Sequence, residues 1–230
     1  MATTTIVTGH DRLPALMSLM TGDEKHDRSA TSTLDVLWVL YDRFLDIDPD
    51  RPEDPDRDRF LLSKGHGPMA YYAVLTAKGF IDEALLPGFG GYGSPLGQHP
   101  DRVLLPGVEI GSGSLGHGLP IAVGTALALR ARGRAARVVC LVGDGELDEG
   151  SNHEAIALAG RLALDRLIAV VVDNASATHG WPGGIGRRFT VEGWTSAEAD
   201  GRDHDDLERA LHETTPGRPH VVVVGAGGSA

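Results

Sequence analysis

The amino-acid sequence predicts an α/β fold, a parallel sheet flanked by helices, and three observations carry that expectation. Two apolar runs of strand type, Arg137 to Val142 and Leu167 to Val172, enclose a helical stretch from about Ser151 to Leu164. Parallel strands need a crossover of that length. The last third repeats the theme, with a helical segment from Asp205 to Glu213, a break at Pro216 and Gly217, and the buried-strand pattern HVVVV. Between Leu34 and Leu45 the apolar residues Leu34, Leu37, Leu40, Tyr41, Phe44 and Leu45 recur at intervals that place them on one face of a helix.

Taken in order, residues 1–30 are mixed, with a short helix expected near Leu13 to Met20 and then the charged stretch GDEKHDRS. The helix that begins near Thr33 should end before Asp48, because DIDPDRPEDPDRDR is dense in proline and acid and suits an exposed connection. Met69 to Lys78 follows SKGHG as a second helix, stopped by Gly79. From Leu86 to Gly118 the chain is rich in glycine and proline and reads as a long irregular region, the kind of segment that carries function. Leu119 to Arg132 is an Ala-rich helix leading into the strand–helix–strand unit, and residues 225–230 form a loose tail.

A chain of 230 residues, 41% hydrophobic and with 31 glycines, suits a single domain over 1–230. Its net charge of −11 repels nucleic acid and anionic lipid alike. No run reaches the ~18 apolar residues of a membrane span, and the start lacks a basic head before an apolar run, so a cytoplasmic protein is expected. Cys140, the only cysteine, falls inside an apolar strand pattern and reads as an inert buried thiol.

Asp144 follows the first strand of the crossover unit and Asn174, 30 residues later, follows the second. In a parallel sheet both positions lie on one edge, where open α/β sheets bind ligands. A carboxylate and an amide oxygen there suit a hard divalent cation such as Mg2+, whose shell phosphate oxygens can complete. Gly143 and Gly145 leave the backbone of the turn bare to such oxygens. Taken alone, GDG is weak evidence and fits an ordinary Gly/Asp turn better.

Its flanks add more. GDGELDEG with Asn 29 residues beyond the second Gly, preceded in order by SKGHGPMAYYAVL, GQHPD and LPGVEIGSGSLGHGLPIAVGTALA, resembles the transketolase family of thiamine diphosphate enzymes. The likeness covers roughly Leu34 to Val224 and is closest to the diphosphate-binding domain in the form where that domain is a separate subunit. It implies the thiamine diphosphate-binding fold, with Asp144, Asn174 and the Ser176 carbonyl as Mg2+ ligands. His66, Gly143, Gly145 and Glu146 would belong to the diphosphate turn, and Gly113, Ser114 and Leu115 to the loop against the cofactor rings. His26, His66, His99 and Glu149 would be the catalytic set, with Glu149 and Glu154 near the subunit contact, and His117, His153 and His179 would be structural or solvent-facing. The two family glycines after His26 are replaced by Arg28 and Ser29.

The resemblance also implies a two-carbon ketol transfer from a ketose or 2-oxo acid donor to an aldehyde acceptor. Nothing in the sequence resembles the family's second domain, so the expected assembly is a heterotetramer with a separately encoded C-terminal, pyrimidine-binding subunit. The altered His26 region and the short segment ATHGWPGGIGRRF point to an acceptor other than a common sugar phosphate. Two alternatives stand beside it: the thiamine-binding subunit of a 2-oxo acid dehydrogenase, which shares the GDG-to-Asn spacing, and a noncatalytic partner that keeps the fold, to which the altered His26 region points. A nucleotide-binding module fits poorly, since GDGELDEG has neither the lysine of a P-loop nor the glycine spacing of a dinucleotide turn.

Overall fold

The computed structural model describes residues 9–20, 33–177 and 180–225. Five strands, β1 (Arg59–Leu62), β2 (Val138–Gly143), β3 (Leu167–Asp173), β4 (Thr195–Asp200) and β5 (His220–Gly225), form one sheet in the order β1-β2-β3-β5-β4. Every neighbouring pair is parallel. A parallel sheet needs cover on both faces, and the continuous burial of β2 and of β3 up to Val172 matches that need.

Helices α1 (Leu13–Leu19), α2 (Leu34–Val39), α3 (Met69–Ala77) and α7 (His204–His212) cover one face. Helices α4 (Gly118–Ala131), α5 (Gly150–Arg161) and α6 (Ile185–Thr190) cover the other. Side chains divide between the faces with the period of two that a strand imposes. Val139 and Leu141 of β2 enter the first apolar cluster, while Val138, Cys140 and Val142 enter the second. Cys140 is free and buried, and burial pushes its thiol pKa well above the ordinary value, in keeping with an inert core residue.

Among the described residues the predicted helices and strands are present, with three further α-helices or strands and one altered end. After Val39 the helix widens into a π turn, Leu40–Phe44, closed by the Leu45 amide on the Leu40 carbonyl at 2.8 Å. The additions are β1, α6 and β4. β1 has only four residues, and β4, TSAEAD, buries only its two alanines. Both are edge strands with one neighbour each, so neither needs the apolar run by which central strands are read. The acidic connection after α2 is mostly exposed, but its last residue, Asp58, is buried and receives the backbone N–H of Arg137 at 2.7 Å and the Arg137 Nε at 2.9 Å. That pair pins the loop to the start of the sheet.

Candidate functional site

The β2–β3 register pairs Gly143 with Val172, so Asp144 and Asn174 leave adjacent strands at the same carboxyl edge. Asp144 is nearly buried, and its carboxylate is held from the far side by one short segment. Its Oδ2 accepts from the backbone N–H groups of Ser176 at 2.8 Å and Ala177 at 3.0 Å, and its Oδ1 from the Ser176 hydroxyl at 2.5 Å. Burial alone would raise the pKa of Asp144. The Ser176 hydroxyl and the amides of Ala177, Gly145 and Ser176 outweigh burial and hold it below the ordinary carboxylate value, so the group is ionised at neutral pH.

Asn174 presents the opposite condition. Its Oδ1 is shielded from solvent and accepts no hydrogen bond among the described residues. Buried acceptors are rarely left so, because the lost hydration is not returned. The segment turns through Ala175 with a φ of 59°, which brings Ser176 back over the first turn. A Cβ at Gly145 would lie 3.2 Å from the Ser176 hydroxyl and 3.3 Å from its carbonyl oxygen, tighter than ordinary contact, so glycine leaves that approach unstrained.

The loop before α4 folds onto the same region. A Cβ on Gly113, whose φ is 123°, would stand 3.1 Å from the His99 ring, and one on Gly65 would meet the Ser112 hydroxyl at 2.3 Å. His66 and His99 face each other with ring centroids 6.3 Å apart, and both are exposed. Glu149 lies against Gly116, where a Cβ would be 2.6 Å from the Glu149 Cβ. Ser114 bonds to His117 at 3.0 Å, leaving Leu115 half exposed beside them.

Beneath this loop sits a buried node. Glu146 accepts from the Ser63 hydroxyl and from the Gly116 amide at 2.9 Å, while the Ser63 hydroxyl accepts from the Gly118 amide at 3.0 Å. Burial raises the Glu146 pKa despite those donors. A strand end, the loop and the GDG turn are thereby tied together, and Glu146 faces the loop's underside. Sequence reasoning missed Ser63 and Lys64 as parts of the site. Lys64 lays its stem over Gly143, with a Cβ there 3.5 Å from its Cγ and Cδ. The signal available was their place in SKGHG, directly before His66.

The family described as transketolase, thiamine diphosphate binding domain, matches residues 12–227. This chain belongs to the transketolase family. A protein of Rhodococcoides fascians named Ferredoxin fas2 is 56% identical over 93% of this chain and 71% of its own length. One of the apulose-4-phosphate transketolase subunits of Actinobacillus succinogenes is 38% identical over 86% of the chain and 74% of its own length. Among solved structures, transketolase from Leishmania mexicana superposes with a TM-score of 0.77 at 27% identity, covering 94% of this chain and 36% of that one. The chain therefore spans about a third of that transketolase.

Within this transketolase-family domain, Asp144, Asn174, Ser176, Gly143 and Gly145 gather at one strand edge, with His66, His99, Gly113 and Glu149 on the loops over it. Glu154 is exposed on α5. His153 lies under Arg188, whose Nε is 3.1 Å from its Nδ1 and whose guanidinium stacks 4.8 Å from the Trp181 ring centroid. These residues and Asp144 line a cavity of about 250 Å³ behind the turn. His26 and His179 lie outside the described residues. No described helix is long and apolar enough to cross a membrane.

Proposed function

We propose that this chain holds the diphosphate of thiamine diphosphate through Mg2+ and, with a separately encoded pyrimidine-binding subunit, transfers a two-carbon ketol unit from a ketose or 2-oxo acid to an aldehyde. The observation that carries the reading is the pair at the carboxyl edge: an ionised Asp144 beside an Asn174 oxygen that is buried and unpartnered among the described residues. The donor set is all oxygen, which fits Mg2+, with the Ser176 carbonyl close by over Gly145. Asp144 and Asn174 would hold the ion, and the bare Gly143–Gly145 turn would meet the diphosphate.

When bound, thiamine diphosphate supplies the electron sink for cleaving and forming carbon–carbon bonds next to a carbonyl. The chain's own residues do the remaining work. His66 and His99 stand on the open side, where imidazoles can donate to substrate hydroxyls and move a proton. Gly113 and Leu115 line the approach, and Glu149 stands beside Gly116. The altered His26 region and the segment ATHGWPGGIGRRF support an acceptor other than a common sugar phosphate, and one relative is named for apulose-4-phosphate. The working unit is a heterotetramer of two such pairs, and the cell compartment is the cytoplasm.

The test is to co-express the chain with the product of its adjacent gene and to assay ketose donors against aldehyde acceptors with Mg2+ and thiamine diphosphate. Ketol transfer that requires both chains supports the reading. Full transfer by this chain alone, or none with any donor when cofactor binding is intact, would overturn it.

A further inference from the structure

A second cluster of metal-competent side chains lies on the face covered by α1, α2 and α7, apart from the GDG turn. His10 is in the 3-10 turn His10–Arg12 before α1, Asp35 is in the first turn of α2, and His204 opens α7. The Nε2 of each histidine is 2.8 Å from the same oxygen, Asp35 Oδ1, and the three atoms all lie within 4.8 Å of one another. The two rings meet edge to face with centroids 4.7 Å apart.

The two nitrogens are not equivalent. His204 makes a hydrogen bond to Asp35, whereas His10 Nε2, just as close, is misaligned for one. That nitrogen is shut off from solvent and has no hydrogen-bond partner among the described residues. Leaving a buried ring nitrogen without a hydrogen bond is costly, and a cation between the three atoms removes the cost by taking a lone pair from each.

We infer that His10, Asp35 and His204 form a binding site for a Zn2+-class cation that cross-links the turn before α1 to α2 and α7. Two imidazole nitrogens and one carboxylate oxygen are a set that zinc accepts with water in the remaining position, and nitrogen donors disfavour Mg2+. The side chains are one-sixth to one-third exposed, so the cluster lies near the surface. Trp38, its ring 6.0 Å from that of His10, supplies an apolar wall. The inference does not depend on the ketol-transfer reading, since none of these residues belongs to the proposed cofactor site.

The experiment uses the full chain, stripped with a chelator, reloaded with Zn2+ in the presence of excess Mg2+, and dialysed. One retained zinc ion per chain is expected, together with a higher thermal midpoint. Co2+ in its place should give a visible ligand-field band. His10→Gln, which removes a ring whose Nε2 makes no hydrogen bond among the described residues, should abolish both signals with the circular dichroism spectrum unchanged, and His204→Gln should do the same. Asp144→Asn should keep them. Failure to retain zinc, which is the outcome for a purely hydrogen-bonded His–Asp–His triad, would overturn the inference. So would retention unchanged in His10→Gln.

Discussion

At the scale of single residues, Asp144 and Asn174 carry opposite stability signatures, and the contrast is testable. Asp144 receives two backbone N–H groups and a hydroxyl, so Asp144→Ala should lower folding stability by about 1–3 kcal/mol, the cost of donors left unpaired. Asn174 Oδ1 forms no hydrogen bond among the described residues, so Asn174→Ala should change stability by less than about 1 kcal/mol. Its effect belongs to binding. Loss of residues that merely support metal ligands weakens metal sites roughly tenfold or more, so loss of a ligand should weaken Mg2+-dependent thiamine diphosphate binding at least that much. Urea midpoints and cofactor titrations of the complex with its partner measure the two effects separately. An Asn174→Ala protein that binds cofactor normally would remove the amide from the proposed ligand set.

Elements meet at points where one atom decides the packing. Gly160, in the last turn of α5, lies so close to the turn before β4 that a Cβ would sit 1.7 Å from the Glu192 carbonyl oxygen. Alanine is favoured over glycine inside a helix by about 1 kcal/mol, yet Gly160→Ala should destabilise by about 3 kcal/mol or more because backbone must move. Gly124 in α4 is the control, with nothing within 4 Å of its Cβ position, and Gly124→Ala should stabilise by about 0.5–1 kcal/mol. Thermal or urea denaturation of the two variants reads both signs. A second joint is His220, buried at the start of β5, with Nε2 2.9 Å from the Ala210 carbonyl of α7 and Nδ1 2.8 Å from the Thr195 hydroxyl of β4. A neutral ring satisfies both partners, and burial lowers its pKa below the ordinary histidine value. The unfolded chain therefore takes up a proton that the fold refuses. The stability from this group is complete above the unfolded pKa of about 6.5 and is lost as pH falls from there through the lower folded value. Denaturant midpoints at about pH 7.5 and pH 5.5 should differ more in the native chain than in His220→Gln.

For the whole molecule, the sheet's carboxyl edge carries a site open on one side. His66 and His99 are exposed, and the loops around them display Tyr92, Val103, Leu104 and Leu115 to solvent. Exposed apolar side chains in these loops suit a surface that another chain covers. The isolated chain should therefore show no ketol transfer. Adding the partner should confer cofactor binding, and at cofactor concentrations a hundredfold above Kd the linkage of about 2.7 kcal/mol should raise the thermal midpoint by roughly 5–10 °C. A scan in which Mg2+ and thiamine diphosphate leave the midpoint of the complex unchanged would contradict the proposed site.

The sequence by itself determined the layered α/β plan, because the central strands are continuous apolar runs and the helices between them repeat every three to four residues. It also determined that Asp144 and Asn174 share an edge, since each directly follows a strand and parallel strands end on the same side. Edge strands β1 and β4 stayed hidden, as did the widening of the α2 helix at Leu40, for these depend on single-neighbour pairing and on the core they press against. Only the tertiary structure decided which polar atoms are left without partners. It brought Ser63 to Glu146 across 83 positions of chain and His10 to His204 across Asp35, and no local pattern encodes such meetings. The reason is physical: periodicity reports which face of an element avoids water, whereas the satisfaction of a buried donor or acceptor depends on every element packed around it.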